Sequence, residues 1–145
     1  MNARAHPMLD LALAYAAKGY RVFPCGQDKR PLTPHGFKDA SAAPDTIRAW
    51  WRQHPHAMVG LPTGDGLAVV DLDVDKGTGE AIGESTADAL GWGDVLAAGL
   101  TVRTPSGGRH VYFAGNVPTK ARTFGPGVDT RGAGGYVIAA GSITG

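Results

Sequence analysis

Apolar and polar positions recur along this chain with two periods, and each period predicts its own kind of element. Leu9, Ala12, Leu13 and Ala16 return at helical spacing and Gly19 stands where a C-terminal cap belongs, so residues 8–18 are predicted to be a helix. Tyr20-Arg21-Val22-Phe23-Pro24 reads as a short strand stopped by its proline. Pro44-Asp45 opens a second helix that buries Ile47, Trp50 and Trp51 and turns Arg48 and Arg52 outward. Residues 57–61 form another short strand, 62–66 a Pro/Gly turn, and 66–75 a strand whose second half alternates carboxylate and aliphatic. A third helix is expected over 79–90, weakened by Gly83 and ended by Gly91. Residues 100–104 and 109–113 alternate around Pro105-Ser106-Gly107-Gly108, which makes 100–113 the best hairpin in the sequence. Residues 114–134 read as a long loop, and 135–140 as a buried strand from their continuous apolar run. Helices and strands in this mixed order predict an α+β domain, with helices packed on a mixed, largely antiparallel sheet. No repeat or linker divides the chain, so one domain is expected over 1–145, truncated at its C-terminal end because it stops directly after a core strand.

Composition narrows the picture. Hydrophobic residues make up 43% and charged residues 19%, the balance of a globular chain rather than a disordered one. The 22 glycines and 10 prolines gather at 104–108 and 125–135, which points to shaped loops rather than low-complexity sequence. A net charge of +1 does not describe a protein that coats nucleic acid by charge alone. The single cysteine, Cys25, excludes an internal disulfide and a thiolate metal cage. With no secretory h-region and no apolar run of about 20 residues, no membrane span is expected and a cytoplasmic setting is the default.

The candidate chemistry centres on Gly66-Leu67-Ala68-Val69-Val70-Asp71-Leu72-Asp73-Val74-Asp75. Side chains alternate faces along a strand, so Asp71 and Asp73 share one face, joined by Asp75 if the strand lasts that long. Same-face neighbours lie roughly 6–7 Å apart, close enough to repel unless a cation neutralises them. Paired divalent ions about 3.5–4 Å apart in phosphoryl-transfer sites are held by such carboxylates. The plainer alternative is a strand ending in a solvated acidic turn, Asp75-Lys76-Gly77-Thr78-Gly79. Two companions bear on the choice. In Thr104-Pro105-Ser106-Gly107-Gly108-Arg109-His110, small residues let backbone amides approach an anion, and the imidazole can donate to a phosphate oxygen; a structural histidine is the alternative. In Gly127-Val128-Asp129-Thr130-Arg131-Gly132, a third carboxylate would complete a metal site and Arg131 would meet a triphosphate, unless the two form only a surface pair in a turn. Lys29, Arg30 and Lys38 are either solvated charges or the cationic wall of a phosphate site. Trp50 and Trp51 read as core rather than as a base-stacking platform, and His54 and His56 receive no ligand role.

In combination these residues resemble the bifunctional DNA primase/polymerase N-terminal domain family, of the archaeo-eukaryotic primase superfamily. The resemblance rests on Asp71-x-Asp73, then Ser106-Gly107-Gly108-Arg109-His110, then Asp129. It extends to Lys29-Arg30-Pro31-Leu32, His35-Gly36-Phe37-Lys38-Asp39-Ala40, the Trp50-Trp51 helix, Gly60-Leu61-Pro62-Thr63-Gly64, and Asp129 through Ala139. It implies an RRM-like α+β core that polymerises nucleotides on a DNA template with two Mg²⁺ or Mn²⁺ ions. By the same resemblance Asp71, Asp73 and Asp129 match the metal-binding carboxylates, and His110 matches the histidine that contacts the nucleotide's phosphates. Ser106 lies in the corresponding turn, while Gly108 stands where many relatives carry serine. Lys29 and Arg131 are assigned to the triphosphate from position and charge alone.

Two rivals stand beside a template-dependent nucleotidyltransferase of DNA replication. A metal-dependent nuclease or phosphohydrolase would use the same ions to activate water. A non-catalytic RRM-like nucleic-acid-binding module would stack bases on sheet-face aromatics, where this chain is expected to carry carboxylates. No Gly-x-x-x-x-Gly-Lys-[Ser/Thr] loop occurs in the 145 residues, so unwinding would fall to a helicase domain or partner within a larger replication protein. Nucleoside triphosphates and single-stranded or primed DNA are the expected substrates.

Overall fold

The computed structural model describes residues 6–97, 99–104, 107–114, 117, 119–121, 124–139 and 141–142. In chain order the elements are α1 (Pro7–Ala17), β1 (Phe23–Cys25), a 3-10 turn (Gly36–Asp39), α2 (Pro44–Gln53), β2 (Met58–Pro62) and β3 (Leu67–Leu72). There follow α3 (Ile82–Ala89), α4 (Gly93–Ala97), β4 (Leu100–Arg103), β5 (Arg109–Ala114), β6 (Lys120–Ala121), β7 (Val128–Arg131) and β8 (Tyr136–Ile138). The architecture is α+β, and every strand pairing between these elements is antiparallel. The chain divides into two compact units, Met1–Pro62 with Tyr136–Gly145, and Thr63–Gly135. None of the described helices is long and apolar enough to cross a membrane.

The first unit carries a three-stranded sheet in the order β1-β2-β8. Met8 and Ala12 of α1, Ile47 and Trp51 of α2, and Phe23, Met58, Val59 and Leu61 of the strands are all buried. The Trp51 indole N–H donates to the Ala57 carbonyl at 3.0 Å, so the ring's one polar atom is satisfied inside the core. Trp50 is half-buried against Phe23, Cys25 and Met58, so the tryptophan pair is packing, as the sequence suggests. Pro24 does not stop β1 but sits in its middle, opposite Val59. It is tolerated because β1 is an edge strand, where a missing N–H interrupts no ladder.

The second unit is built on a five-stranded sheet in the order β4-β5-β3-β7-β6, with β3 at its centre. One face is apolar: Val70, Leu72, Val111 and Val128 form a cluster with Ala87 of α3 and Leu96 of α4, and Trp92 and Phe113 pack against it. The period of two therefore sends Val69, Asp71, His110, Tyr112, Asp129 and Arg131 to the opposite face. The predicted hairpin forms as β4 and β5, with Arg103 opposite Arg109 and Val102 opposite His110. The stretch expected to be a long loop instead contributes β6 and β7, and α4 lies in the Gly-rich link, where periodicity predicts no element. Val128-Asp129-Thr130-Arg131 is short, mostly polar and bracketed by glycines. It becomes a strand because β3 offers it a ladder, a long-range cause that local periodicity does not register.

Candidate active site

Asp71 lies on the central strand with Asp129 of β7 directly opposite on one side and His110 of β5 directly opposite on the other. Directly paired residues on one face of a sheet bring their side chains together. The row Asp129–Asp71–His110 is thus set by strand register rather than by loops. Asp73 follows one residue after β3 ends, yet its backbone is held on both sides. Its N–H donates to the Gly127 carbonyl at 2.8 Å, and its carbonyl accepts from the Gly83 N–H at 2.9 Å. Gly83 is what lets α3 come this close, since a Cβ there would lie 2.5 Å from the Gly127 oxygen and 2.7 Å from the Asp73 nitrogen. The glycine that weakens the helix locally therefore positions a carboxylate. A glycine inside an otherwise helical pattern is the sequence signal for such close packing.

One carboxylate oxygen from each of Asp71, Asp73 and Asp129 lies within 4.8 Å of the other two. The His110 Nε2 stands 3.5 Å from Asp71 Oδ2, and both side chains are only 16% exposed. The other oxygen, Asp71 Oδ1, is buried and has no hydrogen-bond partner among the described residues. A buried anionic oxygen left without a donor is costly unless a cation takes it. Burial, and after it the negative charges of Asp71 and Asp129, pushes the Asp73 carboxyl up from the ordinary aspartate value; His110 and Lys76 pull the other way. An all-oxygen donor set, mutually repelling and missing one partner, fits a hard divalent cation.

Asp75 has a different task. Its Oδ1 accepts from the Gly77 and Thr78 N–H groups at 2.8 and 2.9 Å, which holds its carboxyl below the usual range. The strand ends at Leu72, so the expected acidic turn exists as well, immediately after the metal-type cluster. Arg131 lies in β7 rather than in a turn, with Nη2 4.0 Å from Asp129 Oδ2 on the carboxylate face. Ser106 falls outside the described residues. Gly107 and Gly108 close the hairpin: Gly107 N–H donates to the Thr104 carbonyl and Thr104 N–H to the Gly108 carbonyl, both at 3.0 Å. A Cβ at 108 would run into the Leu72 carbonyl oxygen, so serine does not fit there without moving β3.

Lys29 belongs to the first unit, so its relation to the carboxylates is not a matter of local geometry. Its backbone is left-handed (φ 69°), and its carbonyl accepts from the Tyr136 hydroxyl at 2.9 Å. The Tyr136 ring packs edge-on against Phe23 at 5.2 Å and tilted against Phe37 at 6.5 Å, which ties the Lys29 turn to the segment bearing Lys38. Comparison with curated proteins finds no match. The chain does match, over residues 12–145, the family described as bifunctional DNA primase/polymerase, N-terminal, and it belongs to that family.

Proposed function

We propose that this chain is a template-dependent nucleotidyltransferase, a DNA primase/polymerase acting in DNA replication with Mg²⁺ or Mn²⁺. The observation that carries the reading is the cluster of Asp71, Asp73 and Asp129 around a buried, unsatisfied Asp71 oxygen. These three residues would hold the divalent ions, which when bound supply positive charge at the reacting phosphate and a more acidic attacking hydroxyl. The chain's own residues do the rest by position. Asp71 and Asp129 are presented by paired strands, and Asp73 by the backbone bonds from Gly83 and to Gly127, so the donors need little reorganisation. His110, in the same row and 3.5 Å from Asp71, is proposed to donate to a phosphate of the incoming nucleotide. Arg131, on the same face, is the proposed second cation for the triphosphate, with Lys29 and the Ser106 hydroxyl as further nucleotide contacts.

The sheet face carries carboxylates where a non-catalytic module of this shape would carry paired aromatics, which favours an enzyme. Family membership favours polymerisation over hydrolysis. A helicase-type partner or domain belongs to the same proposal, since replication needs an open template.

The test is incubation with single-stranded DNA, labelled nucleotides and Mn²⁺, with and without a primer. Template- and nucleotide-dependent products are expected, and Asp71→Ala or Asp73→Ala should abolish them while thermal unfolding stays cooperative. Degradation of DNA without nucleotide would instead make the protein a nuclease, and incorporation at the parental rate by both variants would remove the metal site.

A further inference from the structure

The second unit holds a pocket of about 510 Å³ at the tip of the β4–β5 hairpin, lined among others by Thr101, Arg103, Arg109, Glu84, Val74 and Ala81, with Asp73 on its wall. Arg103 and Arg109 are directly paired across the two strands, so two guanidinium groups stand on one face of the sheet, side by side. Like charges in that arrangement repel and destabilise the pairing unless anions compensate them. Only one is compensated from within. Glu84 of α3 grips Arg109 with both oxygens, at 3.0 and 2.8 Å from Nε and with Oε1 2.8 Å from Nη2. Arg103 is exposed and its side chain has no partner among the described residues.

We infer that this pocket binds a backbone phosphate of a nucleic-acid strand, with Arg103 as the cation that receives it. The charge chooses among phosphates. Glu84 cancels Arg109, and Arg103 is left without a paired carboxylate among the described residues. Asp73 on the wall limits the negative charge the pocket can take, so a singly charged phosphodiester suits it better than a polyphosphate. Pyrophosphate and triphosphates bring several negative charges and would also face Asp73 and Glu84 on the wall. The volume accommodates a nucleotide unit rather than a bare anion, with Thr101 to donate to an oxygen and Val74 and Ala81 to cover a sugar. Arg103 and Arg109 share the α3-side face of the sheet with Leu72 and Val111, opposite the carboxylate row. Asp73, just past the end of β3, lines this pocket and also belongs to the carboxylate cluster. Naming the strand as DNA rests on the polymerase reading; the phosphate site does not.

The experiment measures equilibrium binding of a labelled single-stranded oligonucleotide in EDTA, without nucleotide, across a salt series. Arg103→Ala and the longer Arg103→Gln are expected to weaken binding about 3- to 10-fold at low salt and to flatten the log–log salt slope by about 0.7, one phosphate's worth for a single strand. Arg103→Lys should recover most of the loss, and all three variants should keep the parental response of the unfolding temperature to Mn²⁺. Unchanged affinity and slope in Arg103→Gln, or no oligonucleotide binding by the parent protein, would overturn the inference. So would pyrophosphate displacing the oligonucleotide from the parent but not from Arg103→Gln, which would make the pocket a polyphosphate site. Because no metal or nucleotide is present, the outcome is independent of whether Asp71→Ala abolishes incorporation.

Discussion

At the scale of single residues, the carboxylate cluster stores repulsion that the fold tolerates. Asp73 is pushed up by burial first and by Asp71 and Asp129 second. A raised acid binds its proton more tightly in the folded than in the unfolded chain, so without metal its ionisation weakens the fold. Stability should therefore be lost as pH rises from the ordinary aspartate value through the raised one, and regained on the way down. Asp73→Asn is expected to melt later than the parent in EDTA near neutral pH, with the difference shrinking as pH falls toward about 4. The same variant should lose the stabilisation that Mn²⁺ gives the parent. Thermal melts across pH, with EDTA and with Mn²⁺, measure both effects; an earlier melt in EDTA at every pH would contradict the repulsion. His110→Ala should weaken nucleotide binding more than DNA binding, because its proposed partner is the triphosphate. Equal losses for the two ligands, titrated in one buffer, would return the histidine to a structural role. Cys25 makes a third residue-scale case: burial, and secondly Asp28, pushes its thiol up to about 12. It should resist alkylation in the native protein near pH 8 and react only on unfolding, as mass spectrometry after timed labelling would read.

At the scale of elements, α3 does more than cover the sheet. Gly83 brings its first turn against the backbone at Leu72 and Asp73, and Glu84, the next residue, neutralises Arg109. Glycine-to-alanine changes inside helices ordinarily stabilise by roughly 0.5–1 kcal/mol. Here the sign should reverse, because the added Cβ meets carbonyl and amide backbone that cannot swing aside. Gly83→Ala is expected to destabilise by about 1–3 kcal/mol, the range for overpacking, and to reduce Mn²⁺-dependent activity by displacing Asp73. Urea melts and incorporation assays on the one variant decide it. A gain in stability would mean that α3 is free to shift and that Asp73 is positioned by other means. The β4–β5 hairpin shows the same dependence on a glycine at Gly108, against the Leu72 carbonyl, which accounts for the absence of serine there.

At the scale of the whole molecule, the near-neutral total hides a division of charge. The first unit carries eight lysines and arginines against four acids, while the unit with the carboxylate cluster carries six against nine. Template DNA should therefore be attracted chiefly by the first unit and held weakly overall. Extension of a primed template is expected to be slow and to fall steeply between low and physiological salt, as primer-extension gels across a salt series would record. Processive synthesis that ignores salt would contradict this division of labour.

The sequence by itself determined the α+β class and the hairpin, and local periodicity put Asp71 on the polar face of its strand. It also carried the family, through Asp71-x-Asp73, His110 and Asp129 in that order. It could not show that Asp129 lies in a strand, because β7 exists only where β3 pairs with it. Nor could it show that Asp73, beyond the end of β3, is pinned by Gly83 and Gly127, residues that read locally as a helix weakener and a loop glycine. The Glu84–Arg109 pair, which leaves Arg103 uncompensated, joins residues 25 apart in the chain. Periodicity reports which face a side chain takes within its own element. Which elements meet, and in what register, depends on contacts between distant parts of the chain, and only the tertiary structure decided them.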